Sequence, residues 1–114
     1  MSLSIIRAFS QASQRNTVSE AAQTSVSGTA GQILAANADR KGLVIQNTGT
    51  TTIYLLLGSG TPTTTVYHVA LKAAASADDG SGGAYLDDAW TGAVQAVGSG
   101  AGGTLVITEI TGAL

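Results

Sequence analysis

The sequence contains no cysteine, which excludes a disulfide framework and any metal site built on thiolates. It has a single histidine, His68, so a zinc site built on histidines is excluded as well. Charged residues make up 11% of the chain, against about 25% in an average soluble protein. Five residues are basic and the net charge is −2, whereas neutralising a phosphate backbone needs clustered Lys and Arg. Nucleic acid is therefore not expected as a partner.

Long apolar runs are missing too. The first residues, M-S-L-S-I-I-R-A-F-S, have no basic segment ahead of their apolar positions, and the run is too short for a signal core or a bilayer span. We therefore expect a soluble chain made in the cytoplasm, with no membrane partner. A monomer usually keeps itself soluble with more surface charge than this, so the composition predicts a homo-oligomer whose subunits cover one another.

What the sequence has instead is a series of short, β-branched segments separated by Gly, Asn, Asp, Ser and Thr, which is typical of an all-β fold. Leu43-Val44-Ile45 is apolar at consecutive positions, as expected for a strand between two layers. The pattern predicts about eight strands, near Thr24–Thr29, Gln32–Ala35, Gly42–Asn47, Thr52–Leu57, Val66–Leu71, Ala84–Leu86, Ala93–Val97 and Thr104–Ile110.

The connections between these segments predict two hairpins. Asn47-Thr48-Gly49 joins the strands of Ala38 to Leu57, and a glycine-rich turn joins those of Trp90 to Ile110, since both turns hold residues that tolerate positive φ. Lys72 to Gly83 is the longest stretch without a strand pattern. It is predicted as a loop, with room for one helical turn at Ala73–Ala75.

Residues 1–23 differ from residues 24–114, since they are rich in Ser, Gln and Ala. We interpret the first range as an N-terminal arm and the second as the β-domain. Leu3, Ile6 and Phe9 are spaced three apart and form a narrow apolar stripe if a short helix forms, although such a helix does not hold alone in water. These three residues are the candidate partner-binding positions. Two interpretations stay open: a strap on its own domain, or a segment that orders against another subunit.

No set of residues predicts catalysis. His68 is the one candidate base, but it lies within a predicted strand and has no nucleophile motif beside it. Asp78-Asp79 and Asp87-Asp88 lack the alternating spacing of a calcium loop and are interpreted as solvated turn residues. We therefore expect no enzyme activity, no metal and no cofactor. Trp90, with Tyr85 nearby, could stack on a sugar, but its place before a strand favours a plug at one end of a sandwich.

The pattern A-N-A-D-R-K-G-L-V-I-Q-N-T-G-T-T-T-I-Y-L-L-L-G, followed by W-T-G-A-V-Q-A-V and T-L-V-I-T-E-I, resembles the small β-sandwich virion proteins of tailed bacteriophages, including head decoration or cement proteins. The resemblance covers about residues 25–110 and lies in strand and turn pattern rather than in catalytic motifs. It implies a trimer on the capsid surface, with an N-terminal extension that reaches neighbouring subunits.

Together these observations predict an all-β, jelly-roll-like sandwich with an N-terminal arm, acting as a phage capsid decoration protein. Its partners would be the major capsid protein and copies of itself, and its location the virion surface after synthesis in the host cytoplasm. The alternative is a tail or baseplate domain that recognises a host glycan or receptor. A small lytic enzyme has the least support, because no catalytic set can be assembled.

Overall fold

The computed structural model describes residues 17–112, which form eight antiparallel strands and no helix. This part of the chain therefore has no helix long and apolar enough to cross a membrane. The all-β prediction is confirmed. The strands are β1 (Thr17–Val26), β2 (Gly31–Leu34), β3 (Arg40–Asn47), β4 (Ile53–Leu57), β5 (Val69–Leu71), β6 (Ala84–Asp87), β7 (Val94–Gly98) and β8 (Gly103–Gly112).

The core lies between two four-stranded sheets. In β3 the side chains of Leu43 and Ile45 are buried while those of Val44 and Gln46 are half-buried, which is the period of two of a strand with one face on a core. Strand β4 alternates in the same way, with Ile53 and Leu55 fully buried. The remaining core side chains are Val26, Leu71, Val94, Ala96, Leu105 and Ile107.

Strand pairing gives the fold its topology. Strand β1 pairs with β8, β2 with β7, β3 with β6 and β4 with β5, as in one long hairpin that closes at β4–β5. Rolling that hairpin up adds the β3–β8 and β4–β7 pairs. The first sheet then has the order β1-β8-β3-β6 and the second β2-β7-β4-β5. Eight strands in two such sheets form a jelly roll.

The two predicted hairpins are wrong. Strand β3 lies in the first sheet and β4 in the second, and β7 and β8 are divided in the same way. Asn47 does not adopt positive φ. Its side chain is fully buried and holds the connection by donating to the carbonyls of Thr51 at 2.8 Å and Leu71 at 3.1 Å, while its Oδ1 accepts from the Gly49 amide. The turn residues after Asn47 therefore belong to a connection that crosses from the first sheet to the second, not to a hairpin within one sheet.

The first strand begins earlier than predicted. Strand β1 starts at Thr17 and pairs with β8 without a break up to Val26, so the boundary placed at Gln23 falls inside the strand. The physical reason is the long β8 ladder, which holds residues 17–23 in the sheet although their sequence has weak strand preference. The helical turn allowed at Ala73–Ala75 is absent as well, since these residues have no helical structure.

A buried arginine closes one end of the sandwich. The side chain of Arg40 is 1% exposed, and its Nε donates to Glu109 of β8 at 2.9 Å. Its two terminal nitrogens donate to the carbonyls of Trp90 at 3.1 Å, Gly92 at 2.8 Å and Ala35 at 2.7 Å. One side chain thus joins β3 and β8 to the segments after β2 and β6. Its charge is matched inside the fold and is not available to a partner.

Candidate interaction surface

The outer face of the first sheet is uncharged except at the end where β3 begins, where Lys41 lies against Gly112 and Asp88 lines a groove. Leu43, Ile45 and Leu105 point into the core, so the residues between them in β3 and β8 point outward, and cross-strand neighbours share their face. The outward residues are Ser19, Ala21, Gln23 and Ser25 of β1; Thr104, Val106, Thr108 and Ile110 of β8; Gly42, Val44 and Gln46 of β3; and Ala84 and Leu86 of β6. Away from that end, the side chains of this face are small, apolar or neutral.

A shallow groove of about 450 Å³ lies at one end of this face. Val44 stands opposite Leu86, and Gly42 stands opposite Ile110. Gly42 keeps the groove open, because a Cβ there would lie 3.3 Å from Ile110 Cδ1. We call this feature the Leu86 groove; its lining also includes Asp87 and Asp88. Leu86, on the edge strand β6, is 69% exposed.

The outer face of the second sheet is also uncharged. Its outward positions are Gln32, Gln95, Tyr54, Leu56, Ala70 and Val97, which alternate with core residues along their strands. Val97 is itself buried, at 6% exposed. The Tyr54 and Tyr67 rings stack on it in a tilted arrangement, with centroids 4.8 Å apart. Tyr67 and the adjacent Val66 are exposed. Away from the end that holds Lys41 and Asp88, both broad faces can therefore meet another surface without burying an unpaired charge, which is costly.

The charged residues of the described chain gather at the ends of the sandwich. Seven of them lie toward the end where β3 begins, as the Glu20–Glu109 and Leu43–Asp87 pairs show. These seven are Glu20, Asp39, Arg40, Lys41, Asp87, Asp88 and Glu109. Lys72, Asp78 and Asp79 belong to the loop that contacts the opposite end through Thr48 and Gly83. This distribution leaves the middle of both broad faces free of charge.

The predicted carboxylate turns have the expected local geometry. Asp79 accepts hydrogen bonds from the Ser81 hydroxyl at 2.6 Å, the Ser81 amide at 2.8 Å and the Ser76 amide at 2.9 Å, which hold its pKa below the ordinary value. Asp78 adopts φ of 59° in the same turn. The carboxylate of Asp79 thus organises its own loop. No three His, Asp or Glu side chains within residues 17–112 are grouped to hold a metal ion.

Asp87 organises the turn that leads to Trp90. It accepts hydrogen bonds from the Tyr85 hydroxyl and from the amides of Ala89 and Trp90, both at 2.7 Å, and these partners lower its pKa. Partial burial, followed by the bond to Asp87, raises the pKa of Tyr85 to about 12. These contacts order the loop beside the Leu86 groove.

Trp90 and His68, which the sequence also singled out, make structural contacts within the fold. Trp90 packs against the core and donates from Nε1 to the Ala93 carbonyl at 3.0 Å, so the interpretation as a plug is confirmed. His68 lies just before β5, exposed, and its Nδ1 accepts from the Leu57 amide at 2.9 Å. The candidate partner-binding residues Leu3, Ile6 and Phe9 lie outside the described residues.

Sequence reasoning missed the feature that the fold makes most apparent, the two neutral faces. The 11% charged fraction is a sign of them, but it does not say where the charges lie. Which residues face outward depends on strand register, and which end a loop joins depends on topology. Arg40 was missed for the same reason, because Glu109, its partner, is 69 residues away in sequence.

Comparison with known proteins gives one structural likeness. No family model matches the chain, and no curated protein matches it. A solved structure of Bacillus endospore appendages, described as a novel family of disulfide-linked pili, superposes with a TM-score of 0.52 at 17% identity. The match covers 86% of this chain and 88% of the other. At this identity the likeness concerns the fold, and it supports the β-sandwich architecture.

Proposed function

We propose that this protein is a non-enzymatic structural subunit of a phage virion, a decoration or cement protein that bridges major capsid subunits on the head. The observation that carries the proposal is the scarcity of charge on both broad faces, with Leu86 exposed on one and Val66 exposed in the loop beside the other. Contiguous exposed apolar surface marks protein interfaces, and the cores of interfaces are depleted of charged residues. A jelly roll supplies two such faces on one small, rigid domain.

The mechanism we infer is additive burial. Each copy that spans a joint between capsid subunits buries apolar surface on both sides, at roughly 25 cal/mol for each Å² removed from water. The shell then opens only when these contacts break as well. Hundreds of copies multiply a modest contribution, so no single contact needs to be strong. A homo-oligomer, with the trimer as the expected form, would bind with higher effective concentration than separate subunits.

The test uses capsids that lack the protein and the full-length chain. We expect the chain to sediment with them and to raise the temperature at which they open. Val66→Glu and Leu86→Glu each place a charge on one broad face, so at least one should weaken sedimentation with capsids. Ala77→Glu adds the same charge to an exposed end loop and should not. If the unmodified chain neither binds capsids nor delays their opening, the proposal fails.

A second candidate is a subunit of a filamentous surface appendage, which the structural likeness to the endospore pili favours. This chain could not link such a filament by disulfides, since it has no cysteine. A filament would have to rest on neutral faces and on free strand edges. The two candidates differ in a simple observation: a filament subunit polymerises when purified alone, whereas a decoration protein stays a small oligomer until it meets a capsid.

A further inference from the structure

The Leu86 groove has a chemical counterpart in the part of the chain that precedes the described residues. Residues 1–16 include Leu3, Ile6 and Phe9 and two arginines, Arg7 and Arg15, but no acidic residue. All seven acidic residues of the chain lie after residue 16, together with three of the five basic ones. The segment is thus apolar and basic, while the groove is apolar with Asp87 and Asp88 in its lining.

We propose that residues 1–16 fold back over the first sheet of the same molecule and place Leu3, Ile6 and Phe9 in the Leu86 groove. The apolar side chains cover Leu86, Val44 and Ile110, and Arg7 faces Asp88. This docking is a property of the free protein and does not depend on its proposed role in a virion. It gives the groove a defined occupant and the segment a defined place.

The point where the segment leaves the described structure makes this docking possible. Thr17 pairs with Gly112, and Ser19 stands opposite Ile110, which lines the groove. From β1 the groove is reached by crossing β8 to β3 and β6, three strand spacings or about 14 Å. Residues 10–16 reach at most about 23 Å when extended. They can therefore carry the apolar part of the segment to the groove.

Charge favours the same arrangement. Near this end the described chain holds five acidic residues, Glu20, Asp39, Asp87, Asp88 and Glu109, and two basic ones, Arg40 and Lys41. The Arg40 guanidinium is buried and paired with Glu109. Lys41 lies beside Gly112, since a Cβ on that glycine would be 2.8 Å from Lys41 Cε. The end as a whole is acidic and attracts a segment that carries two arginines.

Tethering favours the segment's own groove over that of a second molecule. A short flexible connection gives an effective concentration in the millimolar range, which exceeds the concentration of other copies in dilute solution. Two or three partly buried apolar side chains and one exposed ion pair then suffice to populate the docked state. The contact would also remove the exposed Leu86 side chain from water.

A spin label tests the proposal in the full-length chain. Because the protein has no cysteine, Ser4→Cys introduces a single attachment point. We expect the label to broaden the amide signals of Val44, Leu86 and Asp88 and to leave Tyr54, on the opposite face, sharp. A mixture of spin-labelled chain with isotope-enriched chain that carries no spin label, diluted until light scattering reports monomers, should show no broadening. Broadening in the mixture would mean that a second copy occupies the groove and would overturn the proposal.

Matched variants test the contacts. Phe9→Ala and Leu86→Ser should each lower the ratio of docked to free segment by about tenfold, since each removes much of one apolar side chain from the contact. Arg7→Glu should lower it by up to about fivefold, and Asp88→Arg in the same chain should restore it, whereas Asp78→Arg at the far end should not. No broadening in the labelled chain, or broadening that Leu86→Ser leaves unchanged, would overturn the proposal.

Discussion

Arg40 is the residue on which the closed end of the sandwich depends. Its guanidinium donates to three backbone carbonyls and to Glu109 while 1% of the side chain is exposed. Removing one partner of a buried ion pair leaves the other groups unpaired, which is strongly destabilising. Burial and connectivity thus give one cation a structural role that its sequence position does not reveal.

We predict that Arg40→Met lowers the free energy of unfolding by about 3 kcal/mol, a value that allows for the partial exposure of Glu109. The measurement is urea unfolding followed by circular dichroism. Lys41→Met is the matched control, because Lys41 is exposed and its loss should change stability by less than about 0.5 kcal/mol. Equal effects of the two variants would contradict the role assigned to Arg40.

Tyr85 provides a prediction at high pH. Burial and the bond to Asp87 raise its pKa to about 12, so one of the three tyrosines should ionise late in an absorbance titration. Tyr85→Phe should remove that late step, and Asp87→Asn should move it toward the ordinary value. The raised pKa means that its stabilising contribution is complete below about pH 10 and is lost as the pH rises through about 12. A late step that persists in Tyr85→Phe would contradict this.

Among the elements, β1 shows how a strand can form without strong strand preference of its own. Ser, Ala, Gln and Glu dominate it, and residues 18–23 are exposed. It is held by an unbroken ladder to β8. A sequence pattern detects strands that bury one face, so it placed the other seven strands and missed the first half of this one.

This gives a prediction about two truncations. Removing residues 2–16 should leave the described strands intact and lower the free energy of unfolding only by the small free energy of docking. Removing residues 2–23 takes away most of β1 and exposes the edge of β8, so we expect a lower melting temperature and aggregation. Thermal melts with light scattering compare the two. If both truncated chains melt alike, the ladder between residues 17–23 and β8 contributes nothing to stability.

The pairing of the strands also explains why the predicted hairpins were wrong. The turn after Asn47 and the turn before Gly103 have hairpin composition, but sheet partners in a jelly roll come from far along the chain, as with β1 and β8. The local sequence indicates that the chain turns, but it does not indicate which of the two sheets the next strand joins. The side-chain bonds of Asn47 to Thr51 and Leu71 fix that crossing.

At the scale of the whole molecule, the two neutral faces and the charged ends predict association. We expect the purified protein to be a homo-oligomer, with a trimer as the expected form, because self-association covers surface that is poor in charge. Native mass spectrometry at micromolar concentration measures this directly. A sample that is entirely an 11.3 kDa monomer would contradict the prediction, although it would leave docking of residues 1–16 within one chain unaffected.

The central claim is that many copies of this protein cover a virion head. The most direct measurement is quantitative mass spectrometry of purified phage particles that encode the chain, with the major capsid protein as internal standard. The account predicts hundreds of copies in each particle, in a fixed ratio to the capsid protein. A few copies, as expected for a tail or baseplate domain, or none, would contradict it.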